Sequence, residues 1–176
     1  MSIIFGKRVR LRAVERGDVG KFHEWVNDPE VTRGLSLYLP MSMADEESWF
    51  NSLANRDQKV RPLAIEIRKG RNWKLIGNCG VFGVDPVNRL GELGIMLGEK
   101  DEWNKGYGTE AMLLLVRHCF ETLNLNRAYL HVYTENLRAK QLERLRKEEL
   151  DVLVIGGGIN GAVSALALAA HGARAG

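Results

Sequence analysis

The stretch Trp103-Asn-Lys-Gly-Tyr-Gly-Thr-Glu110 decides the fold of this chain, because it follows an apolar strand and opens a long amphipathic helix. Gly106 and Gly108 allow the backbone to pass close to a bulky anion and to adopt conformations that a Cβ atom would forbid. The helix behind them adds unpaired N–H groups and the positive end of its dipole. The sequence therefore predicts a corner that binds a pyrophosphate-bearing cofactor.

Composition is that of an ordinary globular domain, with 176 residues of which 45% are hydrophobic and 27% charged. The net charge is only +3, and Lys and Arg are scattered among acids, so we expect no nucleic-acid partner. Cys79 and Cys119 are the only cysteines, which excludes a disulfide framework and a cysteine metal cluster. The first residues lack a secretory signal, which favours a cytoplasmic location.

Apolar periodicity predicts the secondary structure of the first half of the chain. Residues 8–13 alternate charged and apolar side chains, as a half-buried strand does. Residues 16–27 have helical spacing, and a second helix begins near Ser42, where Ser42 and Asp45 resemble a capping box. Both helices precede the strands of the expected sheet.

A strand, a glycine loop, a helix and a second strand follow in the order of a crossover unit. Extended runs lie around residues 63–67 and at 75–84 and 90–97, and Gly91 and Gly94 in the last run suggest a bulge or a close ligand. The helix after the glycine loop runs to about Leu123, and residues 128–133 form the next strand. We expect a right-handed crossover with the ligand at the carboxyl end of its first strand.

Three blocks in order carry a family resemblance over residues 7–139. They are Leu90-Gly-Glu-Leu-Gly-Ile-Met-Leu97, Glu102-Trp-Asn-Lys-Gly-Tyr-Gly-Thr-Glu-Ala111 and Leu130-His-Val-Tyr-Thr-Glu-Asn-Leu-Arg-Ala139. The chain resembles a GNAT N-acetyltransferase of the subgroup that includes the ribosomal-protein N-terminal acetyltransferases. Trp103 departs from the Gln or Arg that begins the family's phosphate motif. The resemblance implies an α/β fold with a mixed, partly open sheet flanked by helices.

The same resemblance implies acetyl-coenzyme A as co-substrate and a primary amine as acceptor, either a protein N-terminus or a small molecule. By carry-over, the backbone of Ile95, Met96 and Leu97 contacts the pantetheine arm. The resemblance assigns the pyrophosphate to Asn104, Lys105, Gly106, Tyr107, Gly108 and Thr109, with a further cofactor contact from Asn136.

Glu92 is the candidate catalytic base, because it lies on the strand that faces the expected cleft and can take a proton from the amine. The alternative, a solvated strand residue, stays open. For His118 and His131 we expect structural roles, since neither has a ligand partner at metal-binding spacing. Three aromatic residues could line an acceptor pocket, although core packing is the favoured role: Trp25, Tyr38 and Trp49.

The family resemblance ends after Ala139. Glu143 stands where the family has a Tyr that protonates the leaving thiolate, and the family's last two strands are missing. Residues 142–176 resemble instead the start of an FAD-dependent glycerol-3-phosphate dehydrogenase, with a G-x-G-x-x-G turn at Gly156, Gly158 and Gly161. The sequence therefore predicts an acetyltransferase domain over residues 1–141. Over residues 142–176 it predicts a helix followed by a strand, a glycine turn and a second helix. Because the two parts resemble different families, we expect a chimeric C-terminus.

The second motif cannot complete a dinucleotide site, because a Rossmann fingerprint needs a further strand with an acidic residue about 20 residues on. We therefore expect no FAD binding.

Three consecutive glycines also argue against a membrane span in residues 152–170. We expect residues 151–155 to add to the edge beside 128–133, with 137–149 as the crossover helix and the last helix covering the sheet. If that packing fails, the exposed edge becomes a homodimer surface.

Two alternatives to an active acetyltransferase stay open: an inactive module that binds acetyl-coenzyme A, and an FAD-binding oxidoreductase fragment.

Overall fold

The structure is a computed structural model that describes residues 3–35, 39–131, 152–155 and 165–168. Contacts divide the chain into two compact units. Unit 1 comprises residues 1–80 and 95–114, and unit 2 comprises residues 81–94 and 115–176. Six strands follow one another in the sheet in the order β1-β2-β3-β4-β5-β6, and two further strands, β7 and β8, form a separate pair.

The N-terminal strands of unit 1 are antiparallel. They are β1 Ile4–Phe5, β2 Val9–Ala13 and β3 Leu63–Lys69, and Val9 pairs with Ile67. Val9 and Leu11 are fully buried, whereas Arg10 and Arg12 on the opposite face of β2 form ion pairs with the buried carboxylate of Glu66. This two-residue alternation confirms the strand that the sequence predicts at 8–13.

A hairpin joins β3 to β4 Asn72–Asp85, and a second turn leads to β5 Leu90–Leu97. Gly70 in the first turn has a φ of 62°, a left-handed conformation that favours glycine. In the second turn, the Asp85 carboxylate accepts hydrogen bonds from the backbone N–H groups of Val87 and Asn88. The bounds of β5 agree with the predicted strand.

Short helices between β2 and β3 build the apolar core of unit 1. The chain forms a 3₁₀ helix at Arg16–Asp18, then α1 Val19–Val26, α2 Pro29–Thr32 and α3 Met43–Ser52, with two more 3₁₀ turns at Leu53–Asn55 and Gln58–Val60. The predicted capping box at the start of α3 is confirmed, with Ser42 and Asp45 bonded reciprocally. Four buried residues form a core cluster: Phe22, Trp25, Val31 and Met96.

The predicted crossover unit is confirmed. A 3₁₀ turn at Lys100–Glu102 and α4 Tyr107–Glu121 connect β5 to β6 Arg127–Tyr129, and β6 is parallel to β5. Within unit 2 the β5–β6 register runs from Leu90↔Arg127 to Glu92↔Tyr129.

The glycines of β5 make room for side chains of β4. A Cβ on Gly91 would lie 2.7 Å from Val81 Cγ1, and one on Gly94 would lie 2.7 Å from the Phe82 ring. This packing requires a residue without a side chain at both positions.

The last described strands correct two expectations. β7 Val152–Ile155 pairs antiparallel with β8 Ala165–Leu168, so 152–155 does not add to β6, and 165–168 is a strand rather than part of the predicted final helix. It is β8 that lies close to β6. The helix propensity of alanine and leucine is a weak preference, and backbone pairing with a neighbouring extended segment overrides it. The predicted helix at 137–149 and the glycine turn lie outside the described residues.

Candidate active site

The glycine corner opens toward solvent in unit 1. Asn104 and Gly106 have φ values of 61° and 81°, so the chain turns sharply before α4, and the Gly106 carbonyl accepts the first helical hydrogen bond from the Glu110 N–H at 3.1 Å. The N–H groups of the first helical turn have no partner within a helix of this kind. A Cβ on Gly106 would meet only Arg8 Nη2, at 3.3 Å. The corner is therefore a cradle of main-chain donors that side chains do not fill.

Gly108 also serves the packing of α4 on β5. It lies in the first turn of α4, and among the described residues its φ is not one of the positive values. A Cβ at this position would approach Leu97 Cδ1 to 2.9 Å. The absence of a side chain thus lets the start of α4 pack closely on the end of β5, which places the helix N-terminus beside the strand.

Arg8 and Glu110 fasten the loop to the N-terminal strand. One Glu110 oxygen accepts hydrogen bonds from the backbone N–H groups of Arg8 and Val9, at 2.7 and 3.1 Å, and the other accepts from Arg8 Nε at 3.0 Å. Arg8 Nη1 also donates to the Lys105 carbonyl at 3.1 Å, and the guanidinium lies over the Tyr107 ring. Although burial opposes ionisation, these donors hold the pKa of Glu110 below its usual range.

A second ionic cluster stands immediately before the loop. Glu102 is buried, with 5% of its surface exposed, and its carboxylate accepts from three ammonium groups: Lys69 at 2.9 Å, Lys105 at 3.0 Å and Lys74 at 3.3 Å. The hydrogen bond from Lys69 contributes most, against the effect of burial, and with the other two lysines it lowers the pKa of Glu102 to about 2. Glu102 is therefore ionised throughout the physiological range.

The end of β5 is held by side chains of the same unit. Trp103 Nε1 donates to the Leu97 carbonyl at 2.8 Å, and the Gly98 N–H donates to the Ile76 carbonyl at 2.9 Å. Met96 is buried in the core cluster with Trp25. Trp103, which departs from the family's phosphate motif, thus contacts the strand that precedes the loop.

Glu92 and His131 form an acid–base pair in unit 2. The distance from His131 Nδ1 to Glu92 Oε1 is 2.7 Å, and the ring of Tyr129 meets the His131 ring edge-on. The side chains are 37% exposed for Glu92 and 52% for His131. The sequence favours a structural role for His131, and in the structure its ring contacts the candidate base.

Several residues of this arrangement were missed by sequence reasoning. Arg8, Glu110, Glu102 and the lysines of the β3–β4 hairpin gave no signal, because their partners are distant in sequence. Lys69 lies 33 residues from Glu102, and Arg8 lies 102 residues from Glu110. Asn136, Tyr38 and Glu143 lie outside the described residues.

The remaining titratable candidates are structural where the chain is described. Burial raises the pKa of Cys119 to about 12 and lowers that of His118, so neither group is poised to react. Trp25 and Trp49 pack in and against the core of unit 1, as the favoured alternative predicted. Within the described ranges there is no group of His, Cys, Asp or Glu that could hold a metal, and no helix there has the length and apolarity to span a bilayer.

Comparison with known proteins decides the family. The model of the acetyltransferase (GNAT) domain matches residues 8–144. The chain belongs to the GNAT acetyltransferase family. It is 32% identical over 139 residues to the uncharacterized N-acetyltransferase p20 of Bacillus licheniformis. The aligned region covers 77% of this chain and 76% of that protein.

Other family members resemble the chain more distantly. The alpha/beta-tubulin-N-acetyltransferase 9 of Mus musculus is 24% identical over 146 residues, covering 77% of this chain and 59% of the mouse protein. The crystal structure of spermidine N-acetyltransferase from Vibrio cholerae in complex with CoA and spermine superposes with a TM-score of 0.71 at 25% identity, over 93% of this chain and 94% of the other.

The predicted fold class and enzyme class are therefore confirmed. The protein is a GNAT N-acetyltransferase with a mixed sheet flanked by helices.

Proposed function

We propose that this GNAT enzyme transfers the acetyl group of acetyl-coenzyme A to a primary amine. The observation that carries the proposal is the open cradle at Gly106, where a Cβ would meet only Arg8 Nη2 at 3.3 Å. Helix α4 begins there, and the first N–H groups of a helix have no partner within it. A helix N-terminus with this geometry favours a diphosphate.

In this proposal the residues of unit 1 bind the co-substrate. The backbone from Asn104 to Thr109 donates to the diphosphate, and the Arg8–Glu110 contacts keep that loop in its conformation. The backbone of Ile95, Met96 and Leu97 pairs with the pantetheine arm, because in the described part of the chain the β5–β6 ladder covers only residues 90–92. Asn136 remains a proposed contact.

When bound, acetyl-coenzyme A supplies a thioester whose carbonyl carbon is open to attack by an amine. The amine nitrogen forms the new C–N bond, the C–S bond breaks, and the thiolate leaves and takes a proton. The chain's own task is to position the amine and to remove its proton. Glu92 accepts that proton directly, or His131 accepts it through Nε2 while Glu92 stabilises the resulting imidazolium through Nδ1.

The acceptor is a small polyamine or a protein N-terminus. Relatives whose names specify spermidine and tubulin support a primary amine without choosing between these two classes. A panel of spermidine, spermine and peptides with free N-termini therefore samples both.

The experiment combines calorimetric titration with a turnover assay. Wild-type protein is titrated with acetyl-coenzyme A and with coenzyme A, and thiol release is then followed with each amine of the panel. Gly106→Glu places a side chain and a negative charge in the cradle, so we expect binding to be lost. The melting temperature should fall only by the few degrees that a side chain at a positive φ costs. Gly70→Glu is the matched control, because Gly70 has a φ of 62° and open space around its Cβ position.

The outcomes separate binding from catalysis. Binding without turnover by any amine would favour the inactive binding module over the enzyme. Wild-type protein that binds neither form of the carrier would overturn the proposal.

A further inference from the structure

A three-lysine cluster lies beside the proposed cofactor loop, and the proposed diphosphate contacts do not use it. Lys69 ends β3, Lys74 is near the start of β4, and Lys105 belongs to the loop itself. Each Glu102 oxygen faces two ammonium groups: Lys69 at 2.9 Å and Lys74 at 3.3 Å on Oε1, and Lys69 at 3.2 Å and Lys105 at 3.0 Å on Oε2. One buried carboxylate thus gathers three cations in one place.

The cluster has more donors than its carboxylate can use. Three ammonium groups carry about nine N–H bonds, whereas a carboxylate accepts about four hydrogen bonds. The other carboxylate at the cluster in the described residues is Glu99, whose oxygen lies 3.7 Å from Lys74 Nζ. The lysine side chains stay between 37% and 48% exposed. Unused donors and a surplus of at least one positive charge therefore face solvent.

We propose that this cluster binds the 3′-phosphate of the coenzyme A carrier, with Lys69 and Lys74 as the phosphate ligands and Glu102 as the group that positions them. The inference rests on the proposed function, because it assigns a subsite to the same co-substrate. The backbone of the loop provides neutral donors for the diphosphate, and the lysines provide the mobile charge that suits a terminal phosphate dianion.

A purely structural role for the cluster would need fewer cations. A single lysine is sufficient to neutralise one buried carboxylate, and Lys105, three residues from Glu102 in sequence, lies at 3.0 Å from it. Lys69 and Lys74 come from a separate hairpin and add two further positive charges. Glu102 and Glu99 offset two of the three lysine charges. A bound anion would offset the remaining charge and reduce the repulsion between the lysines.

The test compares coenzyme A with 3′-dephospho-coenzyme A in calorimetric titrations at low and at moderate salt. We expect wild-type protein to bind coenzyme A roughly tenfold more tightly than the dephospho form, as one or two charge-assisted hydrogen bonds would give. The double variant Lys69→Ala/Lys74→Ala should bind both ligands with the affinity that the wild type has for dephospho-coenzyme A. The preference for coenzyme A should also weaken as salt rises.

Lys21→Ala is the matched control, since Lys21 is also an exposed lysine paired with one carboxylate, Glu24 at 2.7 Å. Its affinities should equal those of the wild type, and thermal melting of all variants checks the fold. Equal affinity of wild-type protein for the two ligands would overturn the subsite alone, as would equal weakening of both ligands in the double variant. Failure of both ligands to bind wild-type protein would overturn the proposed function as well.

Discussion

The two ends of β5 are built in opposite ways. Beyond Leu97, charged and hydrogen-bonding side chains stabilise the chain. Trp103 donates to the Leu97 carbonyl, and three lysines form ion pairs with Glu102. Arg8 and Glu110 form an ion pair that links the loop to β2. At Glu92, near the other end, the described contacts of the carboxylate are one hydrogen bond to an exposed histidine. Both regions contain carboxylates paired with basic groups, but only the first has buried ones.

In the proposed function, the two ends divide the work of binding and proton transfer. A phosphate cradle must keep its backbone donors fixed before the ligand arrives, since a loop that must be ordered on binding costs affinity. The carboxylates of Glu102 and Glu110, each bonded by several donors, supply that rigidity. A proton acceptor must instead reach substrate and solvent, and a half-exposed pair keeps that access.

The largest effect is expected at the exposed pair. If Glu92 is the base or supports His131, Glu92→Gln should lower kcat by roughly 10²–10⁴-fold, the usual contribution of general base catalysis, and leave the dissociation constant of acetyl-coenzyme A unchanged. Steady-state rates and calorimetry measure the two quantities. Glu121→Gln, an exposed carboxylate on α4, is the control. An unchanged kcat would return Glu92 to the role of a solvated strand residue.

The glycine cradle should respond in binding rather than in rate. Gly106→Ala forces a residue with a Cβ into a φ of 81°, which costs on the order of 1–2 kcal/mol, so affinity for coenzyme A should fall by about tenfold. Gly70→Ala is the matched control, because Gly70 has a φ of 62° and open space around its Cβ position. Both variants should lose similar stability in denaturant unfolding. If they also bind coenzyme A equally well, the cradle is not the phosphate site.

Acid should lower the free energy of unfolding, because it protonates Glu102 just beyond the end of β5. The pKa of Glu102 is about 2 in the folded protein against an ordinary 4.5, so its ionisation stabilises the fold fully above pH 4.5. That stabilisation is lost as pH falls from 4.5 toward 2. We expect a contribution of at most about 1–2 kcal/mol, because the lysine partners are half exposed and screened. Urea unfolding of wild type and Glu102→Gln should differ at pH 6, and the difference should shrink steadily as pH falls from 4.5 toward 2. A difference that is independent of pH would contradict this assignment.

The smallest effect is expected for the Arg8 side chain, which bonds the loop to β2. Arg8→Ala removes the side-chain bonds to Lys105 and Glu110 but keeps the backbone N–H bond of residue 8 to Glu110. The KM for acetyl-coenzyme A should rise by about twofold to fivefold with little change in kcat, as for a partly exposed ion pair. Arg8→Lys should restore it only in part, because an ammonium lacks the planar fork with which Arg8 reaches both acceptors. A fall in kcat alone would assign Arg8 to catalysis instead.

Local patterns predicted the elements well where partners are close in sequence. The capping box at Ser42 and the bounds of β5 were read correctly, and so was the left-handed turn at Gly106. Patterns failed where the outcome depends on distant partners. The alanine-rich segment 165–168 was expected to be helical, yet it pairs with 152–155 as a strand. The contact between the Gly108 position and the Leu97 side chain also gave no local signal.

The sequence by itself determined the order of strand, glycine loop, helix and parallel strand, because turn chemistry and apolar periodicity act over a few residues. It also carried the motifs that identify the GNAT family. Only the tertiary structure decided which charges meet, since Arg8 and Glu110 are 102 residues apart and Glu92 and His131 are 39 apart. The physical reason is that an ion pair depends on distance in space, and pleated strands bring together residues whose spacing along the chain carries no signal.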